Sequence, residues 1–182
     1  MVMAGTPAVD LDAVVETKDD HIHNFAAHRR AAVDNLADRD DVEFLRNTAR
    51  FVDSHTLAVG DREIEADYVV LATGSTVTVP DIDGIDDVDY ATSADVLDAT
   101  DFPDSGIVMG FGVVGLELTP YLSEAAGMDL TVVEHDDRPL DQADPAFGDA
   151  VLELYREAFD LTIPTNAYEQ RVDPTDDGGV RL

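Results

Sequence analysis

Between His21 and Leu36 apolar residues return at Ile22, Phe25, Ala26, Ala32, Val33 and Leu36. That three-and-four spacing predicts a helix with one buried stripe. The period then shortens. VEFL at 42–45, TARFV at 48–52, HTLAV at 55–59 and REIEA at 62–66 are β-type pieces separated by turn residues such as Asp53-Ser54 and Gly60-Asp61. They predict a small antiparallel meander. DYVVLATG at 67–74 is a nearly continuous apolar run ending on a glycine, the pattern of a strand covered on both faces in a parallel sheet. Residues 75–105 carry the acids of DIDGIDD together with Pro80 and Pro103, and read as a solvated connection between two lobes.

The second half alternates strand and helix. Ile107–Met109 predicts a strand, Val113 to Ala126 a helix closed by Gly127, and MDLTVVE at 128–134 the next strand. A further helix starts at Asp144-Pro145, aspartate at the N-cap and proline in the first turn being a strong start signal. Phe147, Val151, Leu152, Tyr155 and Phe159 form its inward stripe, and LTIP at 161–164 reads as another strand. The end, YEQRVDPTDDGGVRL, reads as a hairpin turning at residues 176–179. Strand, helix, strand, helix, strand in this order is a right-handed βαβαβ unit, half of a doubly wound fold. The expected class is α/β: a Rossmann-like doubly wound parallel sheet at 103–182, beside a partial lobe at 1–102 that carries the meander. Pro120 lies inside one predicted helix, where its missing N–H and its ring cost about 3 kcal/mol or force a kink.

Charge changes the picture more than size does. The 182 residues hold 40 acids against 11 lysines and arginines, a formal charge of -29, and Lys18 is the one lysine. Such a surface repels nucleic acid and anionic membranes, so neither is an expected partner. Disorder is countered by a 45% hydrophobic content arranged in regular segments. The acids then belong on loops and exposed helix faces, as in a protein of a high-salt cytoplasm. No cysteine is present, so these residues offer no disulfide, thiolate metal site or cysteine nucleophile. No run approaches a membrane span, and the first residues have neither the basic start nor the apolar stretch of a signal peptide.

Chemistry concentrates at GIVMGFGVVGLE, 106–117. Gly110 permits a tight strand-to-helix turn, Gly112 lets a ligand reach the backbone, and Gly115 lets the helix pack close on the strand. A diphosphate would then sit on the helix N-terminus, among the amides of 109–116 with Val113 and Val114 included. Glu134 closes the following strand and is placed to accept hydrogen bonds from ribose hydroxyls. With His135, Asp136 and Asp137 behind it, NAD is favoured over NADP, Arg138 being the opposing signal. A glycine-rich turn that binds nothing is the competing reading. His21, His23 and His28 cluster, but their spacing does not suit a metal site on a helix. No catalytic triad or acid pair stands out, so no catalytic or metal-ligating residue is expected in this chain.

LATGS at 71–75, followed by a proline-containing link and then the glycine motif and its acid, resembles the pyridine nucleotide–disulfide oxidoreductases. The dihydrolipoamide dehydrogenase and mercuric reductase branch is nearest. The resemblance implies that Thr73 and Gly74 approach FAD, that Gly110, Gly112 and Gly115 hold NAD(H), and that Glu134 holds its adenosine ribose. It matches Glu117 to a family glutamate beside the nicotinamide carboxamide and the flavin. Val113 departs from the aromatic residue the family often has there. Family members also carry a first GxGxxG motif for FAD, a CxxxxC redox pair and a His–Glu acid/base pair, none of which is in this chain. The implied function is flavin-dependent NAD(P)H oxidation, hydride passing through FAD to a disulfide or other acceptor, with the chain as the middle of such an enzyme and inactive alone. The alternatives are a binding module that keeps NAD without turnover, and a ligand-free remnant. A complementary chain or self-association is the expected partner, because strand 67–72 would leave an open edge.

At about 1 M salt the Debye length falls to about 3 Å, which screens the self-repulsion of such a surface. Circular dichroism is therefore expected to show partial unfolding on dialysis from concentrated KCl into dilute buffer. Full retention of structure there contradicts the high-salt assignment.

Overall fold

A computed structural model describes residues 9–176 and 178–182. Contacts divide the chain into two compact units, Lys18–Val77 and the described remainder.

Helix α1 (Leu11–Ala37) starts earlier than the apolar spacing implies, because the Asp10 carboxylate accepts from Ala13 N at 3.1 Å and caps it. Its stripe is not buried: Ile22, Phe25 and Leu36 are all exposed, and no residue of α1 is buried. None of the described elements covers that face. The meander forms as β1 (Ala49–Phe51), β2 (Thr56–Val59) and β3 (Arg62–Glu65), antiparallel in that order. The Asp53 carboxylate accepts from the amides of His55 and Thr56, both at 2.8 Å, and shapes the first turn. These bonds hold Asp53 below the usual carboxylate range.

Two expected strands are absent from this unit. Residues 42–45 are irregular; Glu43 turns instead to a two-pronged ion pair with Arg62 on β3. Residues 67–74 form no strand, with Tyr68 92% and Val70 88% exposed. The run has the composition of a strand buried on both faces, but that pattern forms a strand only where neighbours supply a ladder and two covering layers. No described strand lies beside it.

The other unit holds the core. Strands β4 (Ser105–Met109) and β5 (Asp129–Val133) pair in parallel, Ser105 opposite Asp129 through Met109 opposite Val133. Residues 161–164 extend the sheet beyond β5 as a single parallel bridge at Thr162 rather than as a full strand. Val132 N donates to Thr162 O at 2.9 Å and Glu134 N to Pro164 O at 3.0 Å. Pro164 has no N–H to return, which shortens the ladder. Leu130, Val132, Leu161 and Ile163 fill the core with Phe111, Leu116 and Leu122. The architecture is α/β around a parallel sheet.

Helix α2 (Ser93–Asp98) lies in the stretch expected to be a plain connection. Its signal was Thr92-Ser93-Ala94-Asp95, a capping box: Asp95 accepts from Thr92 N at 2.7 Å while Thr92 caps the turn. Val96 is the residue it buries. The acidic link is also anchored. Gly84 adopts a left-handed φ of 84°, and a Cβ there would come within 2.0 Å of the Val172 carbonyl oxygen. Arg171 holds Asp83 at 2.5 Å and Asp173 at 2.6 Å. The hairpin forms from β6 (Asp173–Pro174) and β7 (Val180–Arg181); Asp177 of its turn lies outside the described residues.

Helix α4 (Pro145–Ala158) starts where expected, Asp144 accepting from Ala146 N at 2.9 Å. Leu152 is buried, and Val151, Tyr155 and Phe159 pack against the core. Phe147 is exposed, contrary to its place in the predicted stripe. The inward position in that turn belongs to Gly148, where a Cβ would meet the Pro139 carbonyl at 2.7 Å.

Helix α3 (Val113–Pro120) shows what Pro120 does. A proline at 120 leaves the Leu116 carbonyl without its intrahelical donor. The chain widens into a π-helical turn at Tyr121–Ala125, with Ala126 N donating to Tyr121 O at 3.0 Å, and ends at Gly127 with φ 75°. The Tyr155 hydroxyl, from α4, donates to that freed Leu116 carbonyl at 2.8 Å. Burial, and then the charge of Glu117, raise Tyr155 above the ordinary tyrosine value. Because the folded state holds this proton more tightly, the contribution is complete below the unfolded value of about 10 and is lost as pH rises through the folded one.

Tyr155→Phe is expected to cost about 1 kcal/mol in denaturant unfolding near neutral pH. The cost should shrink in a Pro120→Ala background, where an amide again reaches Leu116, and should vanish at strongly alkaline pH. Equal costs in both backgrounds contradict the repair.

Candidate functional site

The glycine segment joins β4 to α3, and each glycine does a different steric job. Gly110 donates its N–H to Val133 O at 2.9 Å, carrying the β4–β5 ladder one step further, and then turns with φ 91°. That left-handed angle favours glycine. Gly115 lies one helical turn on, where a Cβ would sit 2.2 Å from the Gly110 carbonyl oxygen. Backbone meets backbone there, so α3 packs directly on the bend. Gly112 is the N-cap, with ordinary φ, and a Cβ placed on it would meet nothing within 4 Å. The absence of a side chain at Gly112 therefore serves open space, not the fold.

That space lies at the start of α3. Leu116 N is the first intrahelical donor, to Gly112 O at 2.9 Å, so the amides of Val113, Val114 and Gly115 have no acceptor within the helix. The side chains of Val113 and Val114 are exposed, as is Glu117 on the next turn. A helix N-terminus of this kind favours an anion.

Glu134, at the end of β5, reaches the same bend. It is only 3% exposed. One carboxylate oxygen accepts from Phe111 N at 2.8 Å and the other from Asp136 N at 2.8 Å. An acid 23 residues away in sequence thus clamps the middle of the glycine turn. His135 stands beside it, Nδ1 3.2 Å from Glu134 and Nε2 3.3 Å from Asp136. Arg138 is committed elsewhere, to Asp137 at 2.6 Å and Asp149 at 3.2 Å.

Gly110, Gly112, Val113, Val114, Gly115 and Glu134 therefore share one corner of the structure. Thr73 and Gly74 belong to the other unit, exposed in the unpaired run, Gly74 with φ 76° and no atom near a Cβ position. His21, His23 and His28 are exposed along α1.

Sequence reasoning overlooked Phe111, which is fully buried, edge-on to Tyr155 with ring centroids 5.1 Å apart. It wedges the bend against α4. Its signal was a large apolar residue between two glycines that need none.

The family model described as pyridine nucleotide-disulphide oxidoreductase matches residues 5–181. The chain belongs to that family. A mercuric reductase from Bacillus cereus is 31% identical over 169 residues, 93% of this chain and 26% of its own length. A soluble pyridine nucleotide transhydrogenase from Mycobacterium tuberculosis is 33% identical over 125 residues, 65% of this chain and 26% of its own length. The chain spans about a quarter of the length of these relatives. Among solved structures, the HOCl-induced flavoprotein disulfide reductase RclA from Escherichia coli superposes with a TM-score of 0.70 at 22% identity, over 94% of this chain and 42% of that one. At that identity the likeness concerns the fold. No helix among the described residues is long and apolar enough to cross a membrane.

The geometry separates a glycine that the fold requires from one that it does not. Gly115→Ala is expected to lower unfolding free energy by about 2 kcal/mol or more, through the collision with the Gly110 carbonyl. Gly112→Ala should leave the melting temperature near that of the parent. A large loss of stability in Gly112→Ala contradicts the open space found at that position.

Proposed function

We propose that residues 103–182 form a Rossmann-type lobe that binds NAD(H), within a flavin-dependent NAD(P)H oxidoreductase. The observation that carries this reading is the Glu134 carboxylate at 2.8 Å from Phe111 N inside the glycine bend. That contact supports reading Glu134 as an acceptor for ribose hydroxyls beside amides suited to a diphosphate. Gly112 leaves the approach open, and Glu117 lies one turn further along α3, where the family resemblance sets it against the nicotinamide end. The acids at 134, 136 and 137, with Arg138 already paired, favour a 2′-hydroxyl over a 2′-phosphate and hence NAD over NADP.

Thr73 and Gly74 are the residues proposed to approach FAD, through backbone rather than side chain, since Gly74 offers a left-handed turn with open space at Cβ. Held by Gly110, Gly112, Gly115 and Glu134, NADH would supply a hydride, and a flavin approached by Thr73 and Gly74 would pass the electron pair on to a disulfide or other acceptor. In that scheme this chain's residues bind and orient the coenzyme. With no cysteine among 182 residues, the redox dithiol of a disulfide reductase does not come from this stretch. That absence favours, as a second reading, a module that binds NAD without turnover by itself. The high-salt cytoplasmic setting and a complementary chain or second copy as partner are parts of the same proposal.

Isothermal titration calorimetry with NADH in concentrated KCl tests the site. Saturable binding near one per chain is expected, weakened at least about 100-fold in Gly112→Val, which fills the approach. No heat with NADH overturns the reading. Flavin absorbance in the purified protein, lost in a Gly74→Val variant, separates the oxidoreductase from the NAD-only module.

A further inference from the structure

Tyr155 touches the glycine motif near both of its ends. Its ring lies edge-on to Phe111, with centroids 5.1 Å apart, and its hydroxyl donates to Leu116 O at 2.8 Å. Phe111 stands immediately before Gly112, and Leu116 immediately after Gly115. The amides without an acceptor in the helix, those of Val113, Val114 and Gly115, therefore lie between two points fastened to one side chain of α4. Phe159 lies against the Tyr155 ring as well, at 5.1 Å between centroids, so the phenol is held in its place by the core.

The hydroxyl bond is in line with one of those amides. Within α3 the Glu117 N–H faces the Val113 carbonyl one turn back. Leu116 O and Glu117 N belong to one peptide unit, and Val113 O and Val114 N to another. The Tyr155 hydroxyl and these two peptides thus form a single file of hydrogen bonds, and its open end is Val114 N. In an unbroken helix the amide of residue 120 closes the far end of that file. Pro120 has no N–H, and the phenol stands in for it. The neighbouring file is supported from within the helix, its Gly115 carbonyl accepting the Thr119 hydroxyl at 2.6 Å. Hydrogen bonds in such a chain polarise one another, so a donor at one end strengthens the donor at the other.

We propose that Tyr155 is a positioning residue for the dinucleotide: its hydroxyl, replacing the missing amide of Pro120, holds and polarises the peptide file that presents Val114 N to the diphosphate. The proposal rests on the reading of the amides at 113–115 as the diphosphate site. Tyr155 acts through α3 rather than on the coenzyme. Its contribution is lost with the hydroxyl alone, since phenylalanine keeps the ring against Phe111.

Calorimetry with NADH in concentrated KCl, on variants whose circular dichroism matches the parent, reads the effect. Tyr155→Phe should weaken binding about three- to tenfold, the scale of coupling through residues that do not meet the ligand. Pro120→Ala returns the backbone donor. It should keep affinity within about twofold of the parent and should restore Tyr155→Phe to the same level. Ile163→Val, a core change that also costs stability, should leave affinity at the parent value. The Val114 amide proton gives a readout without coenzyme: its NMR resonance should move upfield in Tyr155→Phe and return in the double variant. An unchanged affinity in Tyr155→Phe, a loss matched by Ile163→Val, or one that Pro120→Ala does not repair overturns the proposal while leaving the coenzyme site standing. A Val114 resonance that stays in place in Tyr155→Phe does the same. Failure of the parent to bind NADH overturns the site itself, and this inference with it.

Discussion

A buried carboxylate has to be met by donors, and in this fold Glu134 meets them at the glycine turn. The bond to Phe111 N joins the end of β5 to the bend after β4, and it does so at the point where the two parallel strands stop pairing. Breaking one side of such a contact leaves a buried charge short of a partner, which is far more costly than the bond's net worth. The bend is further held from below by Phe111 in the core and from behind by Gly115 pressed on Gly110. Three independent constraints therefore set one backbone shape. A bend so fixed holds the amides at the start of α3 in one arrangement, and preorganisation of that kind is what lets backbone amides bind an anion tightly where one is bound.

The two units differ in how they reach order. Apart from Ala58, the buried hydrophobic residues lie between Ile82 and Val172. There the sheet, α3 and α4 enclose a common interior. The unit from Lys18 to Val77 relies on a three-stranded ladder, the Asp53 turn and the Glu43–Arg62 pair. Exposed ion pairs contribute little stability, and at high ionic strength less. This unit is the one whose order depends most on what lies against it.

The contrast also explains what was legible in the chain. The βαβ order, the start of α4 and the separate roles of the three glycines follow from local rules: periodicity, capping and sterics. Strand 67–74 failed because its pattern describes a covered position, and composition cannot supply the cover. Phe147 failed for a related reason, a helical stripe naming an inward face without saying that Gly148 would occupy the closest point of packing. Residues 42–45 had strand composition, but no described strand pairs with them, and the Glu43 side chain meets Arg62 on β3 instead. Phe111 and Tyr155 were invisible as a pair because their meeting is tertiary. Family resemblance identified the family correctly, and the local chemistry of Glu134 with its neighbours was readable only in three dimensions.

Pro120 has a consequence for how the core is closed. The carbonyl it orphans is satisfied by a hydroxyl from α4, 39 residues further along the chain. The last turn of α3 is therefore finished by a tertiary contact rather than by its own ladder. A gap in one helix becomes the point at which a second helix is fastened to it.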